Sequence, residues 1–476
     1  MKEVIVRIPP SPTGLLHLGT ARTALFNYLF AKHHNGKMVF RWEDTDKTRS
    51  KSEFETNILE GLKWLGMDFE KESHLVVRQS DSAERHAEVL AELWEAGKVF
   101  PCFCTPEMID AKREEANKAK QNFVFWSPCR DMSQEEAETK MKSEPFVWRL
   151  RVPKDREMTF ADHVRKEITV NTNTLGDFTV ARSDGSVLYL LANVIDDVDQ
   201  GITHILRGED GISNTPKQML LFEALEKELP EYAHIPLVFD HQKRKLSKRN
   251  VEPGTCVLIE DFQKAGFLPE GVLNGLAFLG WNPKSEEEVF SMEDLIGRFD
   301  LPGVSPAGAQ YDFEKMRWFN NQWLNKLSIE DLQKQFEVFA KTSLDDQGVR
   351  ALTVAREKAR TFEDIQAEFE YLIETPKVDK SMLLHEKFGV DDSLVKKVLG
   401  AVKSLIETDG LGETPDDIKQ QLIVIIKELE LKNGAFLWPL RITLSGQEKS
   451  SSPFDILWGI GQEEALNRIE TILEVC

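Results

Sequence analysis

The segment Pro9–Arg22, PPSPTGLLHLGTAR, lies between the β-branched run VIVRI and the helical pattern LGTARTALFNYLFAKHH. Its prolines fix the backbone path and Gly14 permits a tight turn, so it reads as a rigid link from a strand into a helix. The helix stops at Asn35-Gly36, a C-terminal signal, and KMVFRWED reads as a second strand. Further helices are expected near Lys51–Leu65 and Ala83–Ala96. Strand, helix, strand, helix with short links means βαβ units and a doubly wound parallel sheet, an α/β fold of Rossmann type. Ligands of such sheets lie outside the carboxyl ends of the strands, where this segment falls. Gly19 lacks a side chain where a phosphorylated ligand approaches the first helical turn, and His17 stands at the helix start. Taken alone, a His-x-Gly reads as a rigid turn with an ordinary surface histidine.

The rhythm breaks near Lys98. Residues 98–187 hold three of the five cysteines, a charged helix PEMIDAKREEANKAK and strands FVWRLRV and EITVNT, and read as an inserted mixed α/β domain. Alternation resumes with the helix VLYLLANVIDDVDQ, the strand ITHILRGED, the helix NTPKQMLLFEALEKE and the strand HIPLVFD. After Gly254 the chain turns mainly helical, and from Leu327 amphipathic helices such as DIKQQLIVIIKELELK dominate. The expected organisation is two sheet halves at 1–97 and 188–240, the insertion at 98–187, a region at 241–326 carrying KLSKR, and an all-α part at 327–476.

With 476 residues the chain exceeds one ordinary core, and 41% hydrophobic content supports packed domains. No apolar run reaches the roughly 18 residues that span a bilayer, and the start MKEVIVRIPPSP has no secretory apolar segment. Five cysteines are too sparse and odd a set for a disulfide framework, so a reducing cytoplasm is expected. The net charge of −20 argues against indiscriminate nucleic-acid binding, though a local basic patch can still serve one partner.

The segment HQKRKLSKRN at His241–Asn250 carries five Lys or Arg in ten residues. As an isolated pattern it is equally a solvated loop. Placed after the last strand of the sheet, its Lys245 and Lys248 suit the β- and γ-phosphates of ATP, opposite the His-x-Gly that follows the first strand. HLGT and KLSKR resemble the two signatures of class I aminoacyl-tRNA synthetases. RIPPSPTG, RWEDTD, YLLANVIDD, THILRGED, NTPKQ, FLGWNP, YDFEKMRWFNNQWL and WPLRITLSG are similar, in order and over almost the whole chain, to the bacterial glutamyl-tRNA synthetases.

That resemblance implies activation of L-glutamate by ATP and Mg²⁺, then transfer to tRNA(Glu), by a cytoplasmic monomer with no membrane partner. It makes His17, Lys245 and Lys248 the catalytic set, and Ser11, His17, Gly19, Lys245 and Lys248 the ATP contacts. It implies that Arg7, Tyr189 and Arg207 recognise the γ-carboxylate, while Ser11, Glu43 and Asn193 hold the α-amino end. Without it, Arg7 and Arg207 read as structural ion pairs. The insertion resembles an acceptor-binding domain, 241–326 a stem-contact domain, and 327–476 an anticodon-binding domain, where Lys358 and Arg360 are candidate readers. Within the family the alternative is an enzyme that also glutamylates tRNA(Gln).

Cys102-x-Cys104-x24-Cys129 matches the spacing of a zinc site in some family members. Zinc wants four ligands; Phe125 stands where a tyrosine ligand can lie, and Asp131 is the substitute, the alternative being a degenerate site that keeps its cysteines. Trp42, Gly211 and Asn250 also depart from the common pattern. A glutaminyl enzyme would carry a β-barrel in place of the helical half, and a glutamyl-queuosine synthetase would lack that half. A small nucleotidyltransferase would need neither the insertion nor the helices. A non-catalytic relative would be expected to lose His17, Lys248 or Arg7, and all three are present.

Overall fold

The β-branched run becomes strand β1 (Ile5–Ile8), the helical pattern becomes α1 (Leu18–His33), and KMVFRW becomes β2 (Lys37–Trp42). The turn between α1 and β2 uses Asn35 in the left-handed region (φ 51°) and Gly36, where a Cβ would come within 2.1 Å of the Val4 carbonyl oxygen. This computed structural model describes residues 3–45, 48–247 and 251–475. It divides into two units, Met1–Glu260 with Leu273–Phe313, and Asp261–Val272 with Glu314–Cys476.

In the first unit β1 and β2 pair in parallel, with Arg7 opposite Val39, and β2 pairs in parallel with β3 (Val76–Arg78). On the far side of β1, the Thr203 amide donates to the Ile5 carbonyl (2.9 Å) and the Thr203 hydroxyl accepts from the Ile5 amide (2.8 Å). This joins strand His204–Gly208, which pairs in parallel with Glu231–Ile235. The chain thus leaves β1 in both directions, which creates the switch point where a doubly wound sheet binds ligands. Helices Ala83–Glu95, Tyr189–Asp199 and Thr215–Ala224 bury Val89, Leu90, Leu191, Val194, Leu220 and Leu221 against the sheet. Each such buried aliphatic side chain contributes about 1.5–3 kcal/mol.

Between the sheet halves, Val99–Cys102, Val147–Leu150 and Thr179–Arg182 form an antiparallel sheet. Glu157–Asp162 and Lys166–Asn171 form a hairpin whose Asp162 pairs with Tyr232, so the insertion extends the edge of the main sheet. HIPLVFD is not a single strand as expected. Proline cannot donate to a ladder; pairing ends at Ile235, and after Pro236 the chain restarts as Val238–Phe239 beside Ala309–Gln310. Phe239 then faces Lys245 in a tight hairpin closed by Asp240 N–H to Arg244 O (2.9 Å) and Leu246 N–H to Val238 O (2.8 Å).

The second unit is helical, with a core that includes Leu332, Phe336, Leu352, Val398, Leu440 and Ile456. Capping boxes at Thr361 and Thr414 start two of its helices. Lys358 donates to the Ser450 carbonyl (2.5 Å), which Arg441 also reaches (2.7 Å), and Arg360 pairs with Glu314. Both candidate readers are therefore engaged within this unit. Among the described residues, no helix is long and apolar enough to cross a membrane.

Candidate active site

A cavity of about 400 Å³ opens beyond the ends of β1 and His204–Gly208, lined by Ser11, His17, Gly19, Thr20, Asp210 and Lys245 among others. His17 caps α1: its Nδ1 accepts the Gly19 amide (3.1 Å). A neutral ring with Nδ1 accepting carries its proton on Nε2. Burial, and then the nearby Lys245, hold the His17 pKa below its ordinary value, so the ring is neutral near pH 7 and Nε2–H is a donor. A Cβ on Gly19 would meet only His17 Nδ1, at 3.6 Å, so its absence leaves room beside the helix start. Lys245 Nζ lies 3.3 Å from Asp210 Oδ2. Lys248 lies outside the described residues. Arg22, also on the cavity wall, donates to the carbonyls of Leu279 (2.9 Å) and Pro236.

A second group of side chains lies at the same end of the sheet. Asp197 accepts from Arg7 Nε (3.2 Å) and Arg41 Nη1 (2.8 Å), all three buried. Arg41 Nη2 donates to Asn193 Oδ1 (2.8 Å), whose Nδ2 donates to Glu43 Oε1 (2.5 Å). Both ends of the Asn193 amide are thus taken, and it holds Glu43 in place. Desolvation, opposed by Arg41, raises the Glu43 pKa to about 6. Arg7 Nη1 is buried without a partner.

Arg207 donates from Nη2 to the Gly211 carbonyl (3.0 Å) and Thr215 Oγ1 (2.8 Å). A Cβ at residue 211 would fall 2.5 Å from Arg207 Nε, so the Gly211 that departs from the family pattern is what admits this guanidinium. Burial, and then Arg7, lower the Arg207 pKa, which marks two cations close together out of water. Tyr232 lies under Arg207, ring centre 6.0 Å from Cζ, with its hydroxyl buried and unpartnered. Tyr189, at the start of its helix, is 49% exposed; partial burial of its ring, and then Glu43, raise its pKa. Two guanidinium groups with donors to spare and a buried phenol make an anion site, and Glu43 beside them can take a cation. An acidic α-amino acid presents that pairing.

Arg41, Asp197 and Tyr232 were not singled out in the sequence. Arg41 and Asp197 sit in the quoted runs RWEDTD and YLLANVIDD, where a charge inside a strand or helix otherwise apolar is the available signal. Tyr232 offers none. Trp42, another departure, is buried against Phe40, ring centroids 4.7 Å apart.

In the insertion, the thiols of Cys102, Cys104 and Cys129 lie within 4.8 Å of one another, and the Asp131 carboxylate is not part of this group. The Ser127 hydroxyl donates to Cys102 Sγ (3.1 Å) and accepts from the Cys129 amide (3.1 Å), and buried Asp177 holds the Ser127 amide (3.0 Å) and Arg130 (2.8 Å). Against the burial that would raise it, Ser127 holds the Cys102 pKa below its ordinary value, while burial and the other two thiols push Cys104 up to about 12. Zinc–sulfur bonds of about 2.3 Å place ligand sulfurs about 4 Å apart, so three soft donors at this separation fit zinc, with one position left for a fourth ligand.

Residues 3–318 match the family described as tRNA synthetases class I (E and Q), catalytic domain, and residues 313–473 match an anticodon binding domain. The glutamate--tRNA ligase of Aquifex aeolicus is 38% identical, over 100% of this chain and 99% of that one. That of Symbiobacterium thermophilum is 36% identical, over 98% and 99%. A glutamate tRNA ligase from Elizabethkingia meningosepticum, crystallised in complex with its amino acid, superposes with a TM-score of 0.87 at 30% identity, covering 99% of each chain.

Proposed function

The chain belongs to the class I tRNA synthetases of the glutamate and glutamine branch, and from that premise we propose that it joins L-glutamate to tRNA at the expense of ATP. The observation that carries the choice of amino acid is the pair of guanidinium groups, Arg7 and Arg207, with Glu43 beside them. In this reading Arg7, Arg207 and Tyr189 take the γ-carboxylate, and a glutamine amide is rejected because it leaves buried guanidinium charge uncompensated. Glu43, held by Asn193, takes the α-ammonium together with Ser11.

The α-carboxylate is ionised and needs no base. It attacks the α-phosphorus of ATP, and the bond to pyrophosphate breaks. His17 Nε2–H, Lys245 and Lys248 hold the phosphates, whose remaining charge a bound Mg²⁺ would offset, so the step depends on positioning and charge stabilisation. The terminal ribose hydroxyl of tRNA then attacks the activated carbonyl and AMP leaves. We assign the acceptor end to 98–187, the stem to 241–326 and the anticodon to 327–476. The enzyme works as a cytoplasmic monomer, a setting in keeping with Cys102, Cys104 and Cys129 standing as thiols outside any disulfide. Cys102, Cys104 and Cys129 would hold a structural zinc that ties the first strand of the insertion to the turn Pro128–Asp131; metal analysis finding no zinc would remove it.

The test is glutamylation of separate tRNA(Glu) and tRNA(Gln) transcripts with labelled glutamate, ATP and Mg²⁺. Charging of tRNA(Glu) alone is expected. Charging of both would make the enzyme non-discriminating, and charging of neither, beside active controls, would refute the assignment.

A further inference from the structure

Arg207 has a further partner that the mechanism above leaves unused. Its Nε donates to His234 Nε2 (3.1 Å), and His234 Nδ1 lies 2.6 Å from Asp162 Oδ2. Neither the His234 nor the Asp162 side chain has exposed surface. Asp162 also accepts the amides of Val164 (2.9 Å), Arg165 (2.7 Å) and His234 (3.1 Å). A carboxylate that accepts this many N–H groups stays ionised and can only accept, so the proton of a neutral His234 sits on Nδ1. Nε2 is then an acceptor, and only this tautomer can receive Arg207 Nε–H. Thr215 completes the ring: its hydroxyl accepts from Arg207 Nη2 (2.8 Å) and lies 3.2 Å from His234 Nε2.

We propose that Asp162 and His234 are positioning residues for glutamate: Asp162 sets the tautomer of His234, and His234 fixes the rotation of Arg207. With Nε and Nη2 committed, Nη1, which donates to none of the described residues, is the edge presented to the γ-carboxylate. The inference rests on Arg207 binding that group. It also means that the inserted hairpin Glu157–Asp162/Lys166–Asn171, and not the Rossmann sheet alone, supplies part of the amino-acid specificity.

Asp162→Asn preserves shape but turns one acceptor into an NH₂ donor. The tautomer of His234 then reverses, and an N–H faces the Arg207 Nε–H. The KM for glutamate should rise roughly 10- to 100-fold, as for other outer partners of a ligand-holding group, with the KM for ATP unchanged within about twofold. His234→Gln keeps an acceptor and should retain most of the affinity that His234→Phe loses. An unchanged glutamate KM in Asp162→Asn, or an equal rise in both KM values, overturns the proposal. Should Asp162→Asn fail to fold, the contrast between His234→Gln and His234→Phe decides: a larger rise for Phe supports it, and equal values overturn it. Arg207→Ala separates the two readings. If it too leaves the glutamate KM unchanged, the pocket assignment falls; if it raises the KM while Asp162→Asn does not, only the positioning role falls.

Discussion

The proposed amino-acid pocket hides its charges and the proposed phosphate cleft displays them: Arg7, Arg41 and Asp197 are at most 1% exposed, whereas the Lys245 and Asp210 side chains are both 63% exposed. The difference follows from the two tasks. Telling a carboxylate from an amide requires donors that cannot relax around the wrong ligand, so the guanidinium groups are fixed by buried partners. Holding a triphosphate while pyrophosphate leaves requires charge that water already solvates, on side chains that carry a cation without a fixed fork. The same fold thus uses arginine where geometry decides and lysine where charge suffices.

Breaking the buried side of this contrast should have the largest effect. Asp197→Ala leaves Arg7 buried without its carboxylate (3.2 Å) and takes from Arg41 the nearer of two, Asp197 at 2.8 Å, leaving Asp196 at 3.8 Å. A loss of about 3–5 kcal/mol in unfolding free energy is expected from urea denaturation. A loss below about 1 kcal/mol would mean that the pocket is no more preorganised than a surface ion pair. In the KLSKR motif, Lys248→Ala should slow adenylate formation by roughly 10²- to 10³-fold in rapid-quench kinetics, with the glutamate KM little changed. An unchanged activation rate removes Lys248 from the phosphates.

The same contrast sets what was legible in the sequence. Much of the cleft wall comes from contiguous motifs, PPSPTGLLHLGT and the start of KLSKR, whose turn residues and charges are local signals, and the parallel sheet follows from the strand–helix alternation around them. The pocket is made by tertiary pairing. Arg7 is 190 residues from Asp197, and Arg41 is 152 from Asn193, so single-sequence reading reaches the ligand-facing members through the family resemblance and misses those that hold them. The strands Val99–Cys102 and Glu157–Asp162 escaped for a related reason. The first pairs far along the chain with Val147–Leu150 and carries Pro101; the second has an adjacent hairpin partner, but its other neighbour, Tyr232, is remote and its acidic ends mask the pattern. His234 illustrates the limit, since in HIPLVFD nothing marks it, and only the fold brings it between Asp162 and Arg207.

Glu43 joins the two styles, being a half-buried carboxylate that must be charged to hold an ammonium, and it predicts the smallest effect. Its pKa, raised from 4.5 to about 6, means that the folded chain holds this proton more tightly than the unfolded chain. The resulting stability is fully present below about pH 4.5 and is lost as pH rises through about 6. Affinity runs the other way. Below about pH 6 the bound α-ammonium must first expel the proton from Glu43, so the KM for glutamate should rise up to about tenfold for each unit of pH, with ATP saturating throughout. If His17 contacts the phosphates as proposed, its own titration should appear in the KM for ATP instead. Glu43→Gln should raise the glutamate KM at pH 7 and flatten its dependence between about pH 5 and 7. A wild-type profile that is flat over that range, or one that Glu43→Gln leaves unchanged, would show that the α-amino group is neutralised elsewhere, and Asn193 would then be holding a carboxylate for the sake of Arg41 alone.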